Sequence, residues 1–275
     1  MTLASGGFVY DPEVLDWVSR VVTNGGSVSQ GTKDAANTFI LAIRAAGIRS
    51  LLTRVNLYAG TGLDAARTPF IKDIGGSVDV LNNFVSGDYS ESTGLTGDGA
   101  TKYNNPGVTI GDFFNFDQNS ISYGLYSRVA SSAAALDMGS LNGVAPFYTY
   151  LAVKNVGTTY FSMFDNGTQA TVADSVGTGF YLGVKSSNAA GGLKIFRNGS
   201  DTGASGSSTG PGAASSVLVY VHAANNSSTD GSGGGFAFSS MVCGGYHFGH
   251  KFDATQQLAY YNAWQAFQTA LGRQV

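Results

Sequence analysis

The chain has 275 residues, enough for one large domain, or one domain with a small addition, that buries a core without disulfide or metal support. Only 12% of the residues are charged, against about 25% in an average globular protein, and the 39 glycines are about double the usual share. A net charge of −3 with no basic run argues against nucleic acid as a partner.

The sequence lacks the marks of export and of membrane insertion. The first ten residues contain no basic residue and no long apolar run, so we expect no signal peptide. No stretch approaches the ~18 consecutive apolar residues of a membrane span. Cys243 is the single cysteine, which excludes an internal disulfide and fits assembly in a reducing compartment. We therefore expect a soluble protein whose weakly charged surface suits contact with neighbours.

Two helices are predicted at the start of the chain. Asp11 caps the first, Pro12 occupies its first turn, and the Asn-Gly-Gly run at 24–26 ends it. Its predicted apolar stripe is Val14, Val18, Val21 and Val22. Ser29 or Thr32 opens the second helix, which Gly47 ends. Its predicted stripe is Ala36, Phe39, Ile40 and Ile43.

Residues 48–75 mix short apolar runs with glycines and a proline, and we expect a connector with little regular structure. From about residue 78 the pattern is typical of β-strands, because short runs rich in Val, Ile, Tyr and Phe alternate with turn residues. The predicted strands are 121–126, 147–153, 159–164, 180–184, 193–196, 217–221 and 236–242. Many short strands with turn punctuation indicate a two-sheet sandwich.

Turns, loops and a closing helix complete the prediction. Asn166-Gly167 and Asn198-Gly199 have the chemistry of hairpin turns. The small and polar stretches 199–212 and 225–235 are expected to be exposed loops. Asp253 and Gln256 have the spacing of a capping box before a last helix, which should pack on the sandwich. Its predicted apolar face is Tyr260, Trp264, Phe267 and Leu271.

No catalytic motif stands out. A glycosidase needs two carboxyl groups flanking the substrate, and the only glutamates are Glu13 at a helix start and Glu91 in an apparent loop. Cys243 lies in an apolar run, where a core role is favoured over a nucleophilic one. We expect the protein not to be an enzyme; a hydrolase stays as a third hypothesis.

Two patterns leave a metal site open. His247, His250 and Asp253 are three residues apart in turn, but a predicted turn separates the histidines, and we favour surface or half-buried histidines beside a helix cap. Asp165-Asn166-Gly167 offers oxygens that suit calcium, and the same residues make an ordinary hairpin turn, which we favour. We predict no metal and no cofactor, with calcium as the open alternative.

Aromatic residues are the remaining candidates for a binding site. In the strand containing Phe147-Tyr148-Thr149-Tyr150, alternate side chains point to opposite faces of the sheet. Tyr148 and Tyr150 therefore share one face and are predicted to form an aromatic surface patch for a sugar or a partner protein. If both rings are exposed, replacing them with alanine leaves stability largely intact.

Several blocks of the sequence resemble parts of the concanavalin A-like, laminin-G-like jelly-roll proteins of tailed-phage virions. FVSGDYSESTGLTGDGATKYNNPGV (84–108) resembles their opening strands, and LKIFRNGSDTGASGSS (193–208) resembles one of their hairpins. FDATQQLAYYNAWQAFQTALGRQV (252–275) is similar to their closing helix. Residues 11–60, with DAANTFILAIRAAGIRSLLTRVNLYAG, are similar to their helical leader. Together these blocks span most of the chain.

This resemblance implies a mainly β protein: an antiparallel jelly-roll sandwich over 78–275 with a closing C-terminal helix, preceded by a helical leader and attachment region over 1–77. It further implies a non-enzymatic virion structural protein, a capsid decoration or a tail or head appendage component, assembled in the host bacterial cytoplasm. The implied partners are other virion proteins and further copies of the chain. The alternative is a carbohydrate-binding module for adsorption to host-surface glycans.

Overall fold

The computed structural model describes residues 9–115, 117–141, 148–165, 168–210, 216–226 and 234–275. Over these residues the protein is mainly β. The helices are α1 (Pro12–Thr23), α2 (Gln30–Ala45), α3 (Leu63–Ala66) and α4 (Ala254–Ala270). The strands are β1 (Leu52–Asn56), β2 (Ile71–Lys72), β3 (Val80–Asn82), β4 (Tyr89–Ser90), β5 (Gly94–Thr96), β6 (Tyr103–Asn105), β7 (Ile121–Val129), β8 (Met138–Leu141), β9 (Tyr148–Asn155), β10 (Thr158–Asp165), β11 (Ala170–Ala173), β12 (Gly179–Lys185), β13 (Leu193–Arg197), β14 (Ser200–Asp201), β15 (Tyr220–Val221), β16 (Ala224–Asn225), β17 (Gly235–Phe236) and β18 (Val242–Gly249).

The described strands form two nine-stranded sheets. Sheet 1 has the order β14-β13-β12-β7-β18-β1-β2, with β5 and β4 added beside β18. Sheet 2 has the order β11-β10-β9-β8-β15-β6-β3, with β16 and β17 added beside β8. The pairing is antiparallel except between the two-residue strand β16 and β8. The expected two-sheet antiparallel architecture is therefore confirmed.

The molecule has three layers: helices, sheet 1 and sheet 2. The main core lies between the sheets, where Tyr123 of β7 meets Phe161 of β10 with ring centroids 5.2 Å apart. A second core lies between the other face of sheet 1 and the helices, where Phe180 of β12 stacks on Trp264 of α4 at 5.7 Å. Because both faces of sheet 1 are covered, β12 is buried along its whole length.

The two leading helices form as predicted, with one difference in the buried face of α1. Ser29 caps α2, and the predicted stripe of α2 is buried. In α1, Val14 and Val21 are buried, but Val22 is 60% exposed. Trp17 fills the place instead, donating its indole N–H to the Thr68 carbonyl at 3.2 Å. The spacing of the valines did not indicate that the buried face of α1 would include Trp17 in place of Val22.

The prediction of a connector with little regular structure over 48–75 is wrong. This segment contains β1, α3 and β2, and β1 lies inside sheet 1 between β18 and β2. Leu52 and Val55 face the helical core, whereas Arg54 faces the main core, so the strand lacks the polar-out alternation by which half-exposed strands are recognised.

Five of the seven predicted strands correspond to β7, β9, β10, β12 and β13, whereas the other two differ. In the predicted strand 217–221, only the last two residues form β15, and 236–242 contains the end of β17 and the start of β18. The Cys243–Tyr246 stretch of β18 holds a register shift against β7, in a glycine-containing run that does not read as a strand. Phe147 lies outside the described residues.

The predicted hairpin turn at Asn198-Gly199 and the predicted cap of the last helix are confirmed. Asn198 and Gly199 both have positive φ, +50° and +76°, and join β13 to β14 as a tight hairpin. Asp253 and Gln256 exchange capping hydrogen bonds at the start of α4, whose Tyr260, Trp264 and Phe267 are buried. Asn166 and Gly167 lie outside the described residues.

The stretch 199–212 is less exposed than expected over its described residues, which end at 210. Ala204 is buried in the main core, and the buried hydroxyl of Ser208 donates to the Phe164 carbonyl at 2.9 Å. The segment therefore closes one end of the sandwich by hydrogen bonding with small residues, which composition alone cannot distinguish from a free loop. Most of 225–235 lies outside the described residues.

Candidate functional site

Sheet 2 carries a small cleft on the face that points away from sheet 1. We call it the Tyr148 cleft. It has a volume of about 180 Å³, and the described residues that line it are Leu141, Tyr148, Tyr150, Ser162 and Gln169. Leu141 ends β8 and Tyr148 begins β9, so the cleft lies at one end of the sheet. The two tyrosines predicted as a surface patch therefore line one cavity.

The two tyrosines differ in exposure. Tyr148 is half-buried, whereas Tyr150 is only 9% exposed and belongs to a small apolar cluster with Leu136, Ala152 and Ala224. The sequence indicated the shared face but not this cluster. The prediction of two exposed rings is therefore wrong for Tyr150, which is buried, and holds only in part for Tyr148, which is half-buried.

The register of sheet 2 fixes the position of Tyr150. It pairs with Ser162 of β10 on one side and with Gly139 of β8 on the other. A Cβ atom at residue 139 would lie 2.5 Å from the Cβ of Tyr150. Because residue 139 has no side chain, Tyr150 can lie close to its neighbour strand.

Besides the two phenol hydroxyls, the polar groups of the described lining are the Ser162 hydroxyl and the Gln169 carboxamide. Ser162 is buried, and its hydroxyl donates to the Tyr148 carbonyl at 3.1 Å, which leaves the oxygen able to accept. Gln169 is partly buried just before β11 and carries both a donor and an acceptor. Sequence reasoning missed Leu141, Ser162 and Gln169, because they come from strands and connections whose pairing no local pattern specifies.

A fully buried ion pair lies in the core, apart from the cleft. Arg54 and Asp79 have no exposed surface, and Arg54 Nη2 lies 2.5 Å from Asp79 Oδ1. Asn56 and Asn104 donate side-chain N–H groups to Asp79 Oδ2 at 2.8 and 2.7 Å, and the Tyr246 hydroxyl donates to the same carboxylate at 2.9 Å. The carboxylate is saturated with donors, which is the pattern of a structural ion pair.

A second buried carboxyl group belongs to Asp137. Burial raises the pKa of this group to about 6. The Ser239 hydroxyl and the Val153 N–H each donate a hydrogen bond to it at 2.5 Å, and these bonds lower the pKa in part. Asp137, Val153 and Ser239 come from three separate parts of sheet 2 and its connections. The Asp137 carboxyl group therefore links these segments through its hydrogen bonds.

The histidines do not assemble a metal site. His247 is fully buried between Phe180 and Phe252, with ring centroids 6.0 and 5.9 Å away, and burial lowers its pKa to about 3. The expectation of a surface or half-buried residue is wrong for His247, and it fits His250, which is half-buried. Among the described residues, no group of three or more His, Cys, Asp and Glu side chains is placed to hold a metal ion. The calcium pattern at 165–167 falls largely outside them.

The glutamates and the cysteine have structural partners. Glu13 forms two ion pairs, from Oε2 to Arg44 Nη2 at 2.8 Å and from Oε1 to Arg49 Nη2 at 2.5 Å. Glu91 accepts from the Gly60 N–H and the Thr32 hydroxyl at 2.6 and 2.8 Å. Cys243 is fully buried, as predicted for a core residue, and burial raises its pKa to about 12.

Two further cavities lie at the helical side and at the edge of sheet 2. One is lined by Arg44, Gly47, Arg49 and Ser50, whose arginines are engaged by Asp11, Glu13 and Asp73. The other lies beside β3. Its described lining is Leu63, Asp64, Arg67, Val78, Asp79, Val80, Leu81 and Phe84. In both, the charged groups already form ion pairs.

Comparison with known proteins gives no family assignment. Of the α-helices in the described ranges, none combines the length and apolar composition that crossing a bilayer requires. No protein-family model matches the chain, and no curated protein matches it either.

Proposed function

We propose that the chain is a non-enzymatic structural protein of a tailed-phage virion, a capsid decoration or a tail or head appendage component displayed on the particle. The observation that carries the proposal is the layering. Helices cover one side of sheet 1, while the cleft lies on the far side of the molecule, on sheet 2. Such a molecule can attach through one side and present the other.

The helical side offers apolar surface for attachment. Leu15 and Val22 are 48% and 60% exposed, and a separation of seven residues places them on one face of α1. Leu41 of α2 is 50% exposed. In the proposed assembly these side chains contact other virion proteins or further copies of this chain. The low overall charge of the surface favours such contacts.

The non-enzymatic part of the proposal is supported by how the ionisable groups are used. Asp79 is buried and saturated by donors, and Asp137 is buried and accepts two hydrogen bonds. His247 lies among aromatic rings, and Glu13 and Glu91 each have structural partners. Among the described linings of the three cavities, neither Glu13 nor Glu91 occurs, and Asp64 and Asp79 beside β3 are both engaged in ion pairs.

The jelly-roll fold is part of the proposal as well. The chain passes from sheet 2 at β6 to sheet 1 at β7, returns to sheet 2 for β8–β11, and crosses again at β12, β15 and β18. Repeated crossing between two antiparallel sheets is a feature of jelly rolls and other Greek-key sandwiches. Together with the resemblance of the blocks at 84–108 and 193–208, it supports a concanavalin A-like member.

The first test is mass spectrometry of density-purified particles from the source, with the copy number per particle. Many tens to hundreds of copies indicate a coat or decoration protein, and a handful indicates a tail or vertex appendage. Absence from the particles overturns the proposal. Introducing charge with L15D and V22D should abolish incorporation. V156D, in an 81% exposed hairpin turn away from the helices, should not.

The second candidate function is carbohydrate binding for adsorption to the host surface. The observation that favours it is the Tyr148 cleft, which combines aromatic walls with two neutral polar groups. It is compatible with the first proposal, since function is determined by a site rather than by a fold. A glycan array of bacterial surface sugars tests it, and an array without signal refutes it.

A further inference from the structure

We propose that the Tyr148 cleft binds one uncharged sugar ring, with an apolar face of the ring against Tyr148 and its hydroxyls on Gln169 and Ser162. The inference rests on the carbohydrate-binding candidate above and assigns its site and ligand class.

The described part of the lining offers no counter-ion to an anionic ligand. Among the described residues, the groups around the cavity are two phenol rings, one leucine, one hydroxyl and one carboxamide. None of these carries a charge at neutral pH, so a carboxylate or phosphate brought into the cleft would lose hydration without gaining a counter-ion. A neutral polyol keeps its hydrogen bonds, since Gln169 can both donate and accept, and Ser162 Oγ can accept.

The shape selects an amphipathic ring. Tyr148 and Tyr150 lie two residues apart on one strand face and present aromatic surface to the same cavity, beside Leu141. A pyranose has C–H groups on its faces and hydroxyls around its edge, which matches apolar walls with polar groups at the margin. The volume of about 180 Å³ is below the roughly 300–1,000 Å³ of sites for drug-sized ligands, which restricts the ligand to a single ring.

The cleft is organised before a ligand arrives. Tyr150 is only 9% exposed, and it pairs with Ser162 on one side and Gly139 on the other in the sheet. Tyr148 is tied at its carbonyl by Ser162. Tyr150 and the backbone of Tyr148 are therefore fixed before binding, and so small a contact restricts the dissociation constant to on the order of 1 mM. Display of many copies on a particle would raise the avidity about 10²–10⁴-fold.

The experiment is ligand-observed NMR with the full chain and single sugars at concentrations up to about 50 mM. The probes are glucose, galactose, mannose and N-acetylglucosamine, with glucuronate and N-acetylneuraminate as charged counterparts. At least one neutral sugar should give saturation-transfer signals that the charged sugars do not give. Equal or stronger signals from the charged sugars would overturn the assignment of an uncharged ligand.

Variants locate the site. Y148A and Q169A should each weaken the signal at least about tenfold while leaving the thermal midpoint within a few degrees. The matched control is Y160A, since Tyr160 is a half-buried tyrosine on the same face of sheet 2 that does not line the cleft. Its signal should equal that of the unaltered protein.

The outcomes separate the site from the function. If a neutral sugar binds and both Y148A and Q169A retain full binding, the cleft is the wrong site while carbohydrate binding stands. If no sugar binds at 50 mM and the glycan array is also silent, the candidate function and the cleft fail together, without affecting incorporation into particles. Array binding without any single-sugar signal contradicts the one-ring ligand.

Discussion

Arg54 and Asp79 hold a positive and a negative charge in the interior, 2.5 Å apart and without exposed surface. Taking two charges out of water is costly, and their attraction offsets that cost only when further hydrogen bonds satisfy both groups. Here the Ile74 and Gly76 carbonyls accept from Arg54 Nη1, while two asparagines and a tyrosine donate to Asp79. The pair fixes β1 to the segment that leads into β3.

Replacing Arg54 with methionine should strongly destabilise the fold. The substitution leaves the Asp79 carboxylate buried without its counter-ion, and breaking such a pair lowers the free energy of unfolding by about 3–5 kcal/mol. The measurement is the midpoint of urea denaturation. The matched control is K194M, which removes one partner of the exposed pair with Asp201 and should change stability by less than about 1 kcal/mol. Equal effects of the two variants would contradict a structural role for the buried pair.

The buried titratable groups predict a dependence of stability on pH. Burial lowers the pKa of His222 to about 4 and that of His247 to about 3, so below pH 6.5 the unfolded chain takes up two protons that the folded chain does not. Their contribution to stability is therefore lost as the pH falls. Asp137 acts in the opposite direction, because its pKa of about 6 makes the folded chain bind an extra proton below that pH.

Between pH 6 and pH 5 the two histidines outweigh the one aspartate by about one proton. The free energy of unfolding should fall by about 1 kcal/mol per pH unit in this window. H247F should make the profile nearly flat there, since phenylalanine keeps the ring packing against Phe180 and Phe252 but cannot be protonated. Denaturation midpoints from pH 5 to pH 8 measure this, and parallel profiles for the two proteins would refute it.

At the scale of elements, the approach of the two sheets is set at Gly183 of β12. A Cβ atom there would lie 2.2 Å from the Phe161 ring of β10. The main core can therefore close at this point only because residue 183 has no side chain, and Phe161 occupies that space.

G183A should lower the free energy of unfolding by about 1–3 kcal/mol through overpacking. The control is G87A, since Gly87 has no positive φ and nothing within 4 Å of its Cβ position, so its effect should be small. Adding F161L to G183A should recover part of the loss by removing ring volume. If the double variant is less stable than the sum of the two single changes predicts, the steric explanation is wrong.

The sequence specifies some elements of this fold much better than others. The starts of α1, α2 and α4 could be predicted because Asp11, Ser29 and Asp253 act through local hydrogen bonds. The long strands could be predicted from their apolar runs. Strand β1 could not, because its residues face two different cores, and a strand buried on both sides has no alternating pattern.

The candidate site was predictable only in part. Tyr148 and Tyr150 share a face by the period of a strand, which the sequence contains. Ser162 and Gln169 reach the same cleft only through the pairing of β9 with β10 and β11 with β10, which is set by contacts distant in sequence. The Arg54–Asp79 pair, 25 residues apart, is of the same kind. Long-range register therefore limits sequence reasoning here more than residue chemistry does.

For the whole molecule, the three layers bear on the division predicted at residue 77. α2 packs against α4, and the ring of Phe39 lies 5.5 Å from that of Trp264. β1 is flanked by strands on both sides in sheet 1. The first 77 residues therefore contribute a helix layer and an internal strand to the cores of the remainder.

A fragment of residues 78–275 should not fold alone, because it exposes the helical core and leaves β18 without its partner β1. We expect it to lack dispersed NMR resonances and a cooperative thermal transition, both of which the full chain should show. Adding a peptide of residues 1–77 should restore them if the two pieces associate. A fragment that unfolds cooperatively by itself would establish the first 77 residues as a separate unit.

The single cysteine can report how often the interior of the protein opens. Cys243 lies in β18, which pairs with β1, β5 and β7, and its Sγ is wholly enclosed. A disulfide reagent in solution therefore reacts only when the middle of sheet 1 parts, and a single colour change per chain records that event. Since the sequence contains no other cysteine, the rate at which Cys243 reacts with the reagent measures how often sheet 1 opens, without any introduced label.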